Sequence, residues 1–507
     1  MSEVVVVGGG AVGVNAALFL ARMGFGVELV ESAPEILQGS PRASFVNHGD
    51  GFEYYKPGHR RTGEHCIDGT FTKGLIYPLE AFRTPVCDQA HPIRFLVAKG
   101  SVGHNGLTLE AFAQNAEHMR AHFTRQFETV RAATGWTEEE TERRFLRGPA
   151  SFGRRLEARE LTDVPHVAGG YAGSSFGINM PHYHAFLKAA LRRTGVPCHL
   201  ASDVEGIERD GSRYRLIVAG REIRARHVLL TSGHHVPRLS AGLRGAAVTP
   251  PQAGTYFLNS ITFLRLPASG DEERLRAARR INFTLQQDHG SMFACVVPPT
   301  STEDGFAATY YPSAGGSQLY SHAYDPDRPV PPPPEWDQMI AEGLPPDHPN
   351  VRGTVAQAFR LYPFLRGYAE VQRTVCDSVF NASTPTSNQG GDRRVREIPA
   401  GSIVSDDGQV TAWTSPKWTN AELVALMAAD HVCAQLRGHG LAKDRGTRFG
   451  PTALDVAEIA RDLHFFDVQM RVEDAIDYAR RQGVPEKIVD HSLPYFEGHG
   501  TVGMRRS

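Results

Sequence analysis

Four consecutive valines, Val4 to Val7, run straight into Gly8-Gly9-Gly10-Ala11-Val12-Gly13, and no other stretch restricts the fold so tightly. A β-branched run of this kind predicts a strand buried on both faces. Residues 11–23 are rich in alanine and leucine and predict a helix, with Gly24 as its C-terminal stop. A second strand follows at 26–30 and ends on Glu31. Strand, glycine turn, helix and strand together predict a βαβ unit inside a parallel sheet.

Each residue of the turn has a physical task. Gly8 permits the tight bend, Gly10 lets the backbone approach a pyrophosphate, and Gly13 lets helix and strand pack closely. Ala11 and Val12 open the helix, where free N–H groups and the positive end of the dipole receive phosphate oxygens. Glu31 stands where a carboxylate accepts both hydroxyls of an adenosine ribose, and it would repel a 2′-phosphate. The pattern therefore predicts a dinucleotide other than NADP.

Composition narrows the class. The chain has 507 residues, 41% hydrophobic and 22% charged, with a formal net charge of −2. That is long enough for two or three domains with substantial cores. A near-neutral balance leaves no electrostatic footprint for nucleic acid or an anionic membrane surface. No apolar run approaches the roughly 18 residues of a membrane span. The apolar stretch at 4–20 lacks a basic leader and is interrupted by glycines, so the expectation is mature structure and a cytoplasmic location. Six scattered cysteines with no CxxC disfavour a zinc site or a redox disulfide and suggest reduced thiols.

Two later segments bear on which dinucleotide is bound. Residues 203–233 read as strand, turn, strand, turn, strand, ending in Thr231-Ser232-Gly233. Residues 407–413 precede Ser415-Pro416-Lys417-Trp418-Thr419-Asn420 and an apolar helix at 421–436. Thr419 or Asn420 is the expected cap of that helix, with Glu422 in its first turn.

With these landmarks in this order, the sequence resembles the D-amino-acid oxidase-like superfamily of FAD-dependent oxidoreductases. The resemblance rests on Gly8 to Gly13 with Glu31, a Ser/Arg-rich loop at 39–47, the segment 179–196, Val204 and Thr231-Ser232-Gly233. It implies an α/β fold: a Rossmann-like FAD-binding domain of glutathione-reductase type, interleaved with a mixed or antiparallel substrate domain and followed by a helical tail. It further implies that Val204 touches adenine through its backbone. The helix start at Trp418, Thr419 and Asn420 would point its dipole at the pyrimidine edge of the flavin.

Such folds are interleaved, so the FAD-binding domain is assigned to 1–85, 150–245 and 395–445. Residues 86–149 and 246–394 form the substrate or cap domain, and 446–507 a helical extension. Within 107–147 two amphipathic helices are expected to cover the core. Apolar and polar stretches alternate at 256–266, 281–285, 292–297 and 306–311, predicting a sheet that roofs the flavin. Pro331 to Pro334 reads as a stiff connector.

Candidates for chemistry follow from chain position. The loop 40–61 leaves the second strand and should pass along the cofactor. Arg42 and Ser44 suit phosphate contact, while Asn47, His48, Tyr54 and Lys56 are placed to reach the ring or substrate. Arg394 offers a bidentate clamp for a substrate carboxylate, with a solvated turn as the plain alternative. Lys417 is a cation beside the flavin-facing helix that would assist electron transfer to oxygen, with a surface residue before a cap as the plain alternative. His182 and His184 lack a third ligand, so no metal is expected. The scattered cysteines and the position of His48 predict non-covalent FAD. The Gly-Asp motif of aromatic hydroxylases is not evident after Gly233, and the W-x-W-x-I-P of flavin halogenases is absent.

The resulting expectation is oxidation of a C–N bond in an amine or amino-acid-like small molecule, with molecular oxygen or another acceptor reoxidising the flavin. Two alternatives remain open: a monooxygenase or desaturase of specialised metabolism, and a non-catalytic flavin-binding partner protein.

Overall fold

The computed structural model describes residues 2–38, 46–47, 60–77, 79, 83–84, 94–99, 108–145, 148–150, 152–164, 166–172, 177–248, 254–281, 283–287, 290–297, 299–302, 304–310, 318–324, 332–382, 401–415 and 418–438. The proline run and the expected C-terminal extension lie outside these residues, apart from Pro332 to Pro334.

The valine strand Val4–Val7 is the middle of a six-stranded sheet. It pairs in parallel with Val27–Val30 on one side and His227–Leu230 on the other. Cys198–His199 extends the first side, and Val410–Trp413 the second, both in parallel. Antiparallel Gly401–Ile403 closes the edge. Alternate side chains of Val4–Val7 serve different cores. Val4 and Val6 join a cluster with the helices, whereas Val5 and Val7 join Tyr214, Leu216 and Ile223 of the strands behind. Burial on both faces is why this strand is unbroken valine.

Those strands behind are the meander Val204–Asp210, Arg213–Val218 and Arg221–Ala225. On the other face lie the helices Ala11–Arg22, Met180–Thr194 and Ala421–Arg437, with Arg60–Ile76 packed outside them. The helix Leu109–Thr134 turns Phe112, Met119, Phe123, Phe127 and Val130 into this same core. It is a cover, as its amphipathic pattern predicts.

The second large sheet has eight strands. Gly254–Leu266 and Glu370–Ala382 form its longest antiparallel pair. Phe283–Gln287, Gly290–Val297, Gly305–Tyr310 and Gln318–Tyr324 extend it, together with Arg94–Ala98. The strand Val167–Ala172 also belongs here, because it pairs with Arg94–Ala98. It falls within 150–245, which the sequence reading assigned to the dinucleotide domain. Strand pairing partners so far apart in sequence leave no local signal. No helix among the described residues is long and apolar enough to cross a membrane.

Candidate functional site

The glycine turn is shaped by close contact. Gly8 has φ +111°, and a Cβ there would lie 2.7 Å from the Thr231 and Ser232 backbone. A Cβ on Gly13 would come within 1.9 Å of the Gly8 carbonyl oxygen. A Cβ on Gly10 would meet no described atom within 4 Å, so among the described residues the turn is open on that side. The turn is braced from the neighbouring strand. The Thr231 hydroxyl lies 2.9 Å from the Gly8 carbonyl oxygen and 3.1 Å from that of Val7.

Gly10 is the N-cap of Ala11–Arg22, no side chain caps it, and the first turn holds no acid. Its first N–H groups and the dipole face an open cradle, the arrangement that receives an anion. Glu31 sits beside it. Its carboxylate accepts from the N–H of Gly9 at 2.5 Å and of Ala33 at 2.8 Å. Ser202 N–H donates to the Glu31 carbonyl at 2.9 Å, which brings the chain leading into Val204 alongside the acid. Gly8, Gly10, Ala11, Val12, Gly13, Glu31, Val204, Thr231 and Gly233 are therefore gathered at one end of the parallel sheet. The buried Ser232 hydroxyl has no partner among the described residues.

The second turn, Trp418–Asn420, precedes the helix Ala421–Arg437. Asn420 holds the cap position, but its side chain does not cap. This corrects the expectation of a side-chain cap by Asn420. The Asn420 amide instead points at Cys66 Sγ, 3.9 Å away, because the helix Arg60–Ile76 crowds the turn. A Cβ on Gly69 of that helix would lie 2.6 Å from the Thr419 carbonyl oxygen and 2.5 Å from Asn420 Oδ1.

Sequence reasoning missed what lies behind this turn. Lys73, Tyr183 and Glu422 come from three helices and are fully buried. Tyr183 donates to Glu422 Oε1 at 2.5 Å, and Lys73 Nζ lies 3.4 Å from Glu422 Oε2. Burial pulls the Lys73 ammonium below its ordinary range and pushes the Glu422 carboxyl above its own. Tyr77 extends the group by donating to Asn15 Oδ1 at 2.7 Å, and Asn15 donates to the Ala11 carbonyl at 2.9 Å. The hydrogen bonds around Asn15 and those around Glu422 adjoin through aromatic packing, since the Tyr77 and Tyr183 rings lie edge to face with centroids 5.6 Å apart. The only local hint was a pair of glycines, Gly69 and Gly74, inside a helical stretch, which signals close packing.

His184 is buried and stacks on Trp418 with ring centroids 5.4 Å apart. Burial, reinforced by Lys188 and Lys73, brings it down to about 3. The side chain of His182 is outside the described set. His234, His235 and Asp337 hold ligand atoms within 4.8 Å of one another. One edge, from His234 Nε2 to Asp337 Oδ1, is 4.0 Å, longer than the roughly 3.4 Å edge of a tetrahedral zinc site. His234 Nδ1 is already engaged by Ser378 Oγ at 2.7 Å.

Arg42, Ser44, His48, Tyr54, Lys56, Arg394 and Lys417 lie outside the described residues. Asn47 is described only in its backbone, where Val46–Asn47 pairs with Gly177–Asn179.

A family model described as DAO, FAD dependent oxidoreductase, matches residues 3–376. No curated protein matches the sequence. Among solved structures, the chain resembles NikD, an unusual amino acid oxidase essential for nikkomycin biosynthesis. The TM-score is 0.54 at 14% identity, covering 89% of this chain and 97% of that one. L-proline dehydrogenase from P. horikoshii gives 0.51 at 14%, covering 91% and 98%. L-amino acid deaminase from Proteus vulgaris gives 0.51 at 12%, covering 86% and 94%.

Proposed function

This chain belongs to the DAO family of FAD-dependent oxidoreductases, and from that premise we propose that it oxidises a C–N bond in an amine or amino-acid-like small molecule. One observation carries the reading: the family match runs from the glycine turn through most of the large mixed sheet to Cys376. The likeness therefore extends past the dinucleotide unit into the sheet where a substrate site is expected. The solved structures of similar fold include an amino acid oxidase, an L-proline dehydrogenase and an L-amino acid deaminase.

Three features support the fit of FAD to these residues. Among the described residues, the Gly10 cradle is open, the helix start behind it is uncapped, and Ser232 Oγ and Trp418 Nε1 are buried without partners. In this reading Gly8, Gly10, Ala11, Val12 and Gly13 receive the pyrophosphate, with Thr231 and Gly233 bracing them. Glu31 takes the adenosine ribose, and Val204 lies by the adenine. Arg42, Ser44 and Asn47 complete the cofactor contacts, while Trp418, Thr419 and Asn420 meet the flavin. When bound, FAD supplies an acceptor at N5 for hydride from the carbon bearing nitrogen. Around it His48, Tyr54, Lys56 and Arg394 orient the substrate, and Lys417 favours oxygen as the final acceptor. The cofactor is held non-covalently.

Anaerobic mixing with a panel of amino acids and amines tests the reaction. Bleaching of the oxidised-flavin absorbance without NAD(P)H is the expected result. Dependence on NAD(P)H and oxygen would instead point to a monooxygenase, and no reduction by any donor to a flavin-binding partner. Glu31→Ala should weaken FAD binding by about 1.5–3 kcal/mol, the worth of hydrogen bonds to a charged group. Unchanged affinity in a titration would move the ribose elsewhere.

A further inference from the structure

The Trp418–Asn420 turn rests on a charged knot that hydrophobic packing alone would not require. Lys73 comes from Arg60–Ile76, Tyr183 from Met180–Thr194 and Glu422 from Ala421–Arg437. The side chains of Lys73 and Glu422 are 1% and 0% exposed. A pair buried so deeply rarely recovers its desolvation cost, and apolar residues of similar volume often serve stability as well or better. A different reason is needed for its presence.

The contacts supply one. The Lys73 ammonium sits 4.7 Å from the Trp418 ring centroid. Tyr183 and His184 pack on the same ring, with centroids 5.5 Å and 5.4 Å away. Gly69 presses the backbone of Arg60–Ile76 against Thr419 and Asn420. The turn is therefore gripped at its indole and along its backbone. Within it, Trp418 Nε1 and Asn420 Oδ1 are buried without hydrogen-bond partners among the described residues. Buried polar groups are otherwise satisfied in native proteins, so these two indicate a partner beyond the described protein atoms.

We infer that Lys73, Tyr183 and Glu422 are positioning residues: they hold the Trp418–Asn420 turn in the shape that receives the flavin half of FAD, and they leave the adenosine half untouched. The inference rests on the proposed reading that this turn meets the flavin. It separates the cofactor site into two parts with separate supports. The adenosine part is built on the Gly8 turn and the strand of Thr231, and the flavin part on the knot.

The test compares FAD with ADP, which carries only the adenosine and pyrophosphate contacts, on full-length apoprotein. Tyr183→Phe removes one hydrogen bond without leaving a new charge. Lys73→Met combined with Glu422→Gln removes the pair together, so neither charge is stranded. In both variants FAD affinity should fall about tenfold or more, the value of one hydrogen bond to a charged group. ADP affinity should stay within about twofold, inside the usual scatter between independent sites. The visible spectrum of bound FAD should shift in Tyr183→Phe, as its ring environment changes. Equal losses of FAD and ADP, or no loss of either, would overturn the inference. Thr419→Pro distinguishes the two levels. If it weakens FAD selectively while the knot variants do not, the knot is not a positioning device and the flavin-facing reading stands. If Thr419→Pro leaves the FAD-to-ADP ratio unchanged, the flavin-facing reading itself falls, and the inference with it.

Discussion

Arg94 and Lys73 are both buried cations facing a carboxylate, yet their surroundings differ in kind. Arg94 makes a bidentate pair with Asp163, at 2.8 and 2.9 Å. It also donates to the carbonyls of Glu160 and Arg280 and to the Tyr362 hydroxyl. Burial opposes its charge, but Tyr362 and Asp163 hold it above its ordinary range. Lys73 has one carboxylate at 3.4 Å, and around it Trp418 Nε1, His184 Nε2 and Asn420 Oδ1 lack partners among the described residues. The first centre ties Arg94–Ala98 to the segments around it and is complete in itself. The second lies behind a candidate cofactor turn and is incomplete. A fully satisfied buried network rigidifies a fold, whereas a partly satisfied one needs another reason to persist.

The sharpest way to break this contrast is Arg94→Met. It leaves Asp163 with only the longer ion pair to Arg280, at 3.7 Å, and strips several acceptors of their donor, so it should cost about 3–5 kcal/mol in urea unfolding. The FAD-to-ADP affinity ratio should not move. A selective loss of FAD would make Arg94 part of the site and erase the distinction.

Gly69→Ala acts on the other centre. The added methyl meets backbone and a short side chain at 2.5 to 2.6 Å, with little room to give. Overpacking of this sort costs about 1–3 kcal/mol, and FAD retention should fall with it. A thermal melt unchanged from wild type would show that the helix does not press on the turn.

Acid should expose the neutral buried histidines. His184 and His227 are both brought down to about 3, chiefly by burial. Lys188 and then Lys73 add to this for His184, and His431 for His227. Their unfolded value is near 6.5, so the unfolded chain binds more protons between these limits. The stability they confer is present above about pH 6.5 and is lost as pH falls toward about 3, with a slope of about 1.4 kcal/mol per unit for each histidine. Urea titrations at about pH 7 and pH 5 measure that slope. His227→Gln should reduce it by one proton's share, and an unchanged slope would mean that His227 is already protonated in the fold.

The smallest expected effect is the most informative. Lys73→Met with Glu422→Gln should leave stability within about 1 kcal/mol of wild type, or raise it. A large loss would make the knot a structural centre like that of Arg94.

How far the sequence reached depended on the distance between partners. Gly8, Gly10, Gly13 and Glu31 lie within one βαβ unit, so their joint placement was legible. Asn420 was read as a helix cap from its local pattern, and tertiary crowding by Gly69 took its side chain elsewhere. Tyr183 and Glu422 are 239 positions apart and carry no shared periodicity. Nothing local connects either of them to Lys73. The strand Val167–Ala172 shows the same limit, since its neighbour Arg94–Ala98 was not visible from its own residues.

What the sequence determined by itself is the dinucleotide unit: a valine strand buried twice over, a turn that only glycine can make, and an acid at the end of the next strand. Each of those is a steric or periodic constraint acting over a few residues, so the residues state it directly. What only the tertiary structure decided is the support of the second turn. Packing brought a lysine, a tyrosine and a glutamate from three separate helices into one buried centre. Their charges become consequential only after that assembly, because the cost of a buried charge exists only once solvent has been removed.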